Sequence, residues 1–427
     1  MQTLAEGVRD ARRRTLELVD DLDDAQLLGP RLAIVNPLLW EIAHVAWFQE
    51  KWVLRHALGE PPIRADGDAL WDSGAIPHDT RWDLSLPTRA ESLAYMREVH
   101  EQVLDRLERA QVDERVAYFV RYTTFHEDMH DEAFTYTRQT LGYPAPRLSG
   151  RGWATSSGAL PGDVEVPGGT FLLGAASSEL FVFDNEKWAH PVEVQPFAIA
   201  RAPVTQAEFA AFVDEGGYRH DACWSEAGRA WRDAAGAEHP VHWRREGAAW
   251  LRRDFDAWVP LEPHRPVIHV NWHEAQAYCR WAGRRLPTEA EWEAAAALEP
   301  AAGGGFGARK RRFPWGDEEP TVERANLDAR AMGCLDVSAL PEGDSAFGCR
   351  QMLGNVWEWT ATAFGPYPGF VPDAYREYSE PWFGDHKVLR GGCWVTRSRL
   401  LRNTWRNFYT PNRRDVWAGF RTCALPR

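Results

Sequence analysis

Helical periodicity runs through the first 142 residues of this chain and then stops. Apolar positions recur at three- and four-residue intervals in LAEGVRDARRRTLELVDDL, which begins at Leu4. A second helix is announced by Asn36-Pro37, a cap followed by proline in the first turn, and runs through LLWEIAHVAWFQEKWVLRHALG to Gly59. A third starts near Thr88, and a fourth covers roughly 114–141 and stops at Gly142. Four helices of this length predict an antiparallel bundle, with residues 60–87 as a long excursion between the second and third. A loop of that size without periodicity is usually functional or mobile.

Past the helices the texture changes. Residues 146–163 are rich in Pro, Gly and Ser and read as a linker between a helical domain, 1–145, and a second domain, 164–427. The second domain holds short strands, tight turns and one or two helices, at 272–283 and 288–298. Of the 22 tryptophans, 17 fall in residues 151–427, so the two parts are built differently. The expected class is α+β and multidomain.

Charge and cysteine usage exclude several roles. The 49 basic and 62 acidic residues give a net charge of −13, which suits a nucleic-acid binder poorly. The one short basic run, GARKRR at 307–312, reads as a solvated loop. No stretch of about 18 uncharged apolar residues is present, so no membrane span is expected. The N-terminus has no apolar core of a signal peptide. Six isolated cysteines then suggest reduced thiols and a cytoplasmic location.

The fourth helix carries His126-Glu127-Asp128-Met129-His130. Residues four apart share a helix face, so both imidazoles can reach one metal. Read literally, this is the H-E-x-x-H pattern of zinc proteases, whose glutamate activates water. The longer protease pattern fails, because position 133 is Ala and position 136 is Tyr. Glu132, two residues past His130, could orient a ligand or be solvated. On the second helix His44 shares an apolar face with Trp40, Trp47 and Phe48. Facing helices are where bundles build metal sites, so His44, His126 and His130 form a candidate three-imidazole set for Fe(II) or Zn(II). Three protein ligands leave positions open for substrate and dioxygen or for water.

The blocks GGTFLLGA (168–175), RAPVTQAEFAAFV (201–213), PVIHVNWHEAQAYCRWAGRRLPTEAEWEAAA (266–296), GNVWEWTAT (354–362) and LRGGCWV (389–395) together resemble the formylglycine-generating-enzyme-like fold, a C-type-lectin variant. Fused behind a bundle with H…HxxxHxE, they resemble the ergothioneine- and ovothiol-synthase type (EgtB-like) of non-haem iron sulfoxide synthases. The resemblance implies a DinB-like N-terminal domain with Fe(II) on His44, His126 and His130. It implies O2-dependent joining of a chalcogen to the imidazole of hercynine. It further implies a proton-donating tyrosine in the Y-x-x-Y-S segment, Tyr375 or its neighbour Tyr378. By the same resemblance Asn407 and Phe408 line the hercynine pocket, where aromatic faces suit a trimethylammonium group.

Three departures bear on the donor. Tyr409 stands where the family carries an acid, and Met129 precedes the last ligand in place of Gln. The excursion reads LWDSGAIPHDTRWDLSLPTR, in which only Arg81 and Arg89 are candidate cations for a donor carboxylate. This segment resembles the selenoneine-synthase (SenA) branch, which implies a selenosugar donor, 1-seleno-N-acetylglucosamine. Asp72, His78, Asp79, Arg81 and Trp82 are then candidate donor-site residues. The competing expectations are a thiol donor (cysteine or γ-glutamylcysteine), a zinc protease, and a binding module without catalysis.

Overall fold

The computed structural model describes residues 3–109, 112–148 and 157–426. The chain divides into two compact units, 1–149 and 150–427. Within the segment read as a linker, residues 149–156 lie outside the described residues.

In the first unit, α1 (Leu4–Val19) opens on a capping box: the Thr3 hydroxyl accepts from the Glu6 N–H, and the Glu6 carboxylate accepts from the Thr3 N–H. The short α2 (Asp24–Leu28) and α3 (Leu38–Gln49) follow. Asn36 does not cap α3 as its position suggests; its Oδ1 instead accepts from Arg81 Nη1 at 2.6 Å. Nor does one α-helix continue to Gly59, since Glu50–Ala57 is π-helical. Tucked into the excursion is α4 (Gly67–Trp71), followed by a 3₁₀ turn, His78–Thr80. The long helices α5 (Arg89–Arg109) and α6 (Glu114–Leu141) complete the unit. Asp113 caps α6 at its start, and Gly142 ends it with φ +67°, a left-handed conformation that glycine adopts without strain. Helix α1 packs on α6 and α5, and α3 packs on the same two helices, giving a four-helix bundle. No described helix is long and apolar enough to cross a membrane.

The second unit holds short sheets. One orders Asp163–Val166, Phe197–Ala200, Cys423–Ala424 and Arg284–Arg285. Another orders Asn407–Tyr409, Lys387–Arg390, Trp357–Ala363 and Ala418–Gly419, its last pair parallel. A three-stranded meander spans Trp243–Pro260. The expected helices are present as α9 (Trp272–Trp281) and α10 (Glu289–Ala297). Two others, α7 (Gln206–Asp214) and α8 (Glu226–Ala235), were not anticipated; at 9 and 10 residues their apolar periodicity is too brief to stand out. The basic run at 307–312 is only partly a loop, because Phe306–Lys310 forms a strand and Lys310 Nζ donates to Leu172 O and Gly174 O.

This unit fills its core with indoles. Trp292, Trp357, Trp359 and Trp394 are fully buried. Two of them donate inside the core, Trp292 Nε1 to Glu358 Oε2 at 2.8 Å and Trp359 Nε1 to the carbonyl of Val270 at 2.9 Å. These two indoles therefore supply volume and also a donor, one to a buried carboxylate and one to the backbone of Val270. Buried arginines serve the same end: Arg421 forks onto Glu358, and its Nη1 and Nη2 reach the carbonyls of Ala200 and Arg350.

Candidate functional site

Helices α3 and α6 bring His44, His126 and His130 together, with one candidate ligand atom from each lying within 4.8 Å of the others. The His126 and His130 ring centroids are 4.5 Å apart, as the one-turn spacing dictates. His44 reaches them from the facing helix at 5.2 and 5.0 Å. His44 and His126 are buried, whereas His130 is half-buried and marks the more open side.

Aromatic rings wall the cluster. Trp40 stacks on His44 at 4.7 Å, Trp47 packs on it at 5.7 Å, and Phe48 lies against His126 at 3.7 Å. Burial, and then the neighbouring His130, push both His44 and His126 well below the usual imidazole range. They are therefore neutral near pH 7, the form that binds a metal.

The remaining ring nitrogens set the tautomers. His44 Nδ1–H donates to the carbonyl of Trp71 (2.8 Å), and His130 Nδ1–H donates to Glu41 Oε1 (2.6 Å). A carbonyl and a carboxylate only accept, so Nδ1 of each ring carries a proton and Nε2 is the nitrogen left to face a metal. His126 Nδ1 is buried without a hydrogen-bond partner among the described residues. Three imidazoles, two fixed through Nδ1 and one with an orphaned nitrogen, fit a borderline divalent ion.

Sequence reading did not anticipate Glu41 or the Trp71 carbonyl. Glu41 left one signal, an acid three residues before His44 and hence on its face. Glu132, left open between orienting and solvated, is buried and so not solvated. Glu127 is also buried, and its carboxylate accepts from Arg12 Nε and Thr15 Oγ1, both at 2.8 Å. This commits it to α1 and leaves the H-E-x-x-H reading without its base.

The excursion residues separate. Arg81 is buried, lies over the Trp40 ring at 4.1 Å, and binds Asn36 and the carbonyls of Ser73 and Ile76. His78 Nε2–H donates to the carbonyl of Val35 (2.6 Å), and the Trp82 indole donates to that of Gly29 (3.3 Å). Asp79 is exposed, and Asp72 pairs with Lys51 at 2.9 Å. Arg89 is no donor cation: its guanidinium binds the carbonyls of Leu22, Val19 and Asp20 at the end of α1. Met129 is half-buried on α6.

In the second unit, Tyr378 stacks on Phe183 (4.7 Å) and meets the edge of Phe408 (6.0 Å). Burial pushes its phenol well above the usual range. Phe408 is itself stacked on Phe364 at 4.0 Å. Asn407 and Tyr409 share the opposite strand face; Asn407 Oδ1 accepts from the Phe408 N–H, and Arg413 lies over the Tyr409 ring. Tyr375, three residues before Tyr378, is half-buried at the start of a 3₁₀ turn.

Two family models match the chain: the DinB superfamily over residues 8–134 and the sulfatase-modifying factor enzyme 1-like domain over 153–425. A hercynine oxygenase of Mycolicibacterium thermoresistibile is 42% identical over 98% of this chain and 94% of its own. That of Mycobacterium tuberculosis is 40% identical over 98% of both chains. A formylglycine-generating enzyme of Streptomyces coelicolor is 34% identical over 62% of this chain and 88% of its own. With both domains and the full length matched, the chain belongs to the hercynine-oxygenase (EgtB-like) family of oxygen-dependent oxidoreductases, a DinB-like bundle joined to a formylglycine-generating-enzyme-like domain.

Proposed function

We propose that this chain is an Fe(II)- and O2-dependent selenoneine synthase. It joins selenium from 1-seleno-N-acetylglucosamine to C2 of the hercynine imidazole and passes through a selenoxide. The observation that carries the donor choice is the state of the arginines in residues 60–89. Arg64 pairs with Asp66, Arg81 binds Asn36 and two loop carbonyls, and Arg89 caps α1. A donor carboxylate thus meets no uncommitted guanidinium in this segment, whereas a neutral sugar requires none. Tyr409 in place of an acid points the same way, since an acid would serve a donor ammonium group.

Bound at His44, His126 and His130, the iron supplies activation of O2. The protein's own part is to hold His44 and His126 neutral by burial and to exclude water with Trp40, Trp47 and Phe48. Phe408 offers an aromatic face to the trimethylammonium group, and Tyr375 delivers a proton to reduced oxygen. The identity to mycobacterial hercynine oxygenases favours a second reading, in which the donor is cysteine or γ-glutamylcysteine and the product an ergothioneine-type sulfoxide.

The test supplies hercynine and air to the Fe(II)-loaded protein with either the selenosugar or γ-glutamylcysteine and identifies products by mass spectrometry. Faster formation of the hercynine–selenosugar selenoxide, or of selenoneine once that adduct breaks down and is reduced by added thiol, is expected. Faster turnover of the amino-acid thiol overturns the selenium reading and leaves sulfoxide synthesis.

A further inference from the structure

We propose that Glu41 is a positioning residue of the metal centre, which makes His130 its strongest ligand by placing a carboxylate behind one ring of an all-imidazole donor set. This rests on the three-histidine reading above. Glu41 lies on α3 one turn before His44, and its side chain is 2% exposed. Its Oε1 accepts from His130 Nδ1 at 2.6 Å, across 89 residues of sequence.

The three imidazoles are thereby unequal. His130 donates to a full carboxylate, His44 to a neutral peptide carbonyl, and His126 Nδ1 has no partner among the described residues. A carboxylate behind an imidazole raises the basicity of the far nitrogen and fixes the ring's orientation. It also fixes the tautomer, since a proton moved to Nε2 would block ligation and leave the carboxylate without its donor. A divalent cation on the far nitrogen of that ring places positive charge in line with the buried carboxylate, with the imidazole between them. The ligand class is therefore a divalent ion that accepts imidazole nitrogen, and Glu41 sets how tightly it is held.

The full-length apo-protein is titrated with Co(II), an oxygen-stable probe, and affinity is read by chelator competition and by the visible ligand-field absorption. In Glu41→Gln we expect Co(II) binding weakened about 10–100-fold and an altered absorption, with the apo-protein still folded by circular dichroism. Wild-type affinity and spectrum in that variant overturn the proposal. Should Glu41→Gln fail to fold, Glu41→Ala is read by the same criteria. His130→Ala separates the two levels of inference. If it binds as wild type, the three-histidine reading falls and this inference with it; if it loses Co(II) while Glu41→Gln does not, only the role of Glu41 falls.

Discussion

Arg12 of α1 grips Glu127 of α6 at 2.8 Å with both side chains buried, one residue from the candidate ligand His126. Arg12 Nη2 reaches the second oxygen of Glu127 at 3.3 Å, Arg12 Nη1 donates to Met96 O, and the Thr15 hydroxyl lies 2.8 Å from a carboxylate oxygen of both Glu127 and Asp131. A glutamate held this way ties α6 to α1 on the side next to His126.

Glu127→Gln is accordingly expected to act on stability before chemistry. It leaves a buried guanidinium without its counter-charge, at a cost of about 3–5 kcal/mol. Urea unfolding measures the loss, and metal occupancy of the folded fraction is expected to be retained. A protease base would behave oppositely, with activity abolished and stability kept.

His130→Ala and His126→Ala are each expected to lose iron occupancy in protein purified without oxygen, as measured by elemental analysis. The three candidate atoms sit within 4.8 Å of one another, so removing one leaves two ligands and an open side. Full occupancy in either variant would assign that residue a different role.

The two tyrosines are expected to differ. Burial raises the Tyr378 phenol well above its usual range and its ring is packed on Phe183, so its proton is poorly matched to transfer near pH 7. Tyr375→Phe should lower carbon–chalcogen bond formation by about 10²-fold or more and divert turnover to oxidation of the donor alone. Tyr378→Phe should change the product ratio little. Product ratios by mass spectrometry check both.

A pH effect on stability is expected from the second unit. His269 is buried against His242, and burial followed by Arg252 and Arg253 lowers it to about 3. The unfolded chain takes up a proton near pH 6.5 that the fold refuses, so stability is lost as pH falls from about 6.5 toward 3. At pH 5 this amounts to about 2 kcal/mol. His269→Asn tolerates the observed φ of +60° without titrating, and its urea midpoint should fall less between pH 7 and pH 5 than that of wild type.

The one-turn spacing of His126 and His130 was legible because helical geometry is local: four residues apart means one face, whatever the helix packs against. The apolar stripe around His44 was legible for the same reason, and so was the stop at Gly142. The second domain was legible through its blocks and not through period, since strands of two to seven residues and helices of nine or ten carry too few repeats to identify.

Partners distant in sequence were decided by the tertiary structure alone. Only the packing of α3 on α6 carries the Glu41 carboxylate to His130, and only the fold of the excursion delivers the Trp71 carbonyl to His44. The same holds for Arg81 and Arg89, whose sequence offered two free cations and whose fold commits one to Asn36 and the other to the end of α1. A side chain's type and helical face are fixed by its own neighbours in sequence. Which charge it meets depends on how helices dozens of residues apart bury their apolar faces against each other, and that no local pattern contains.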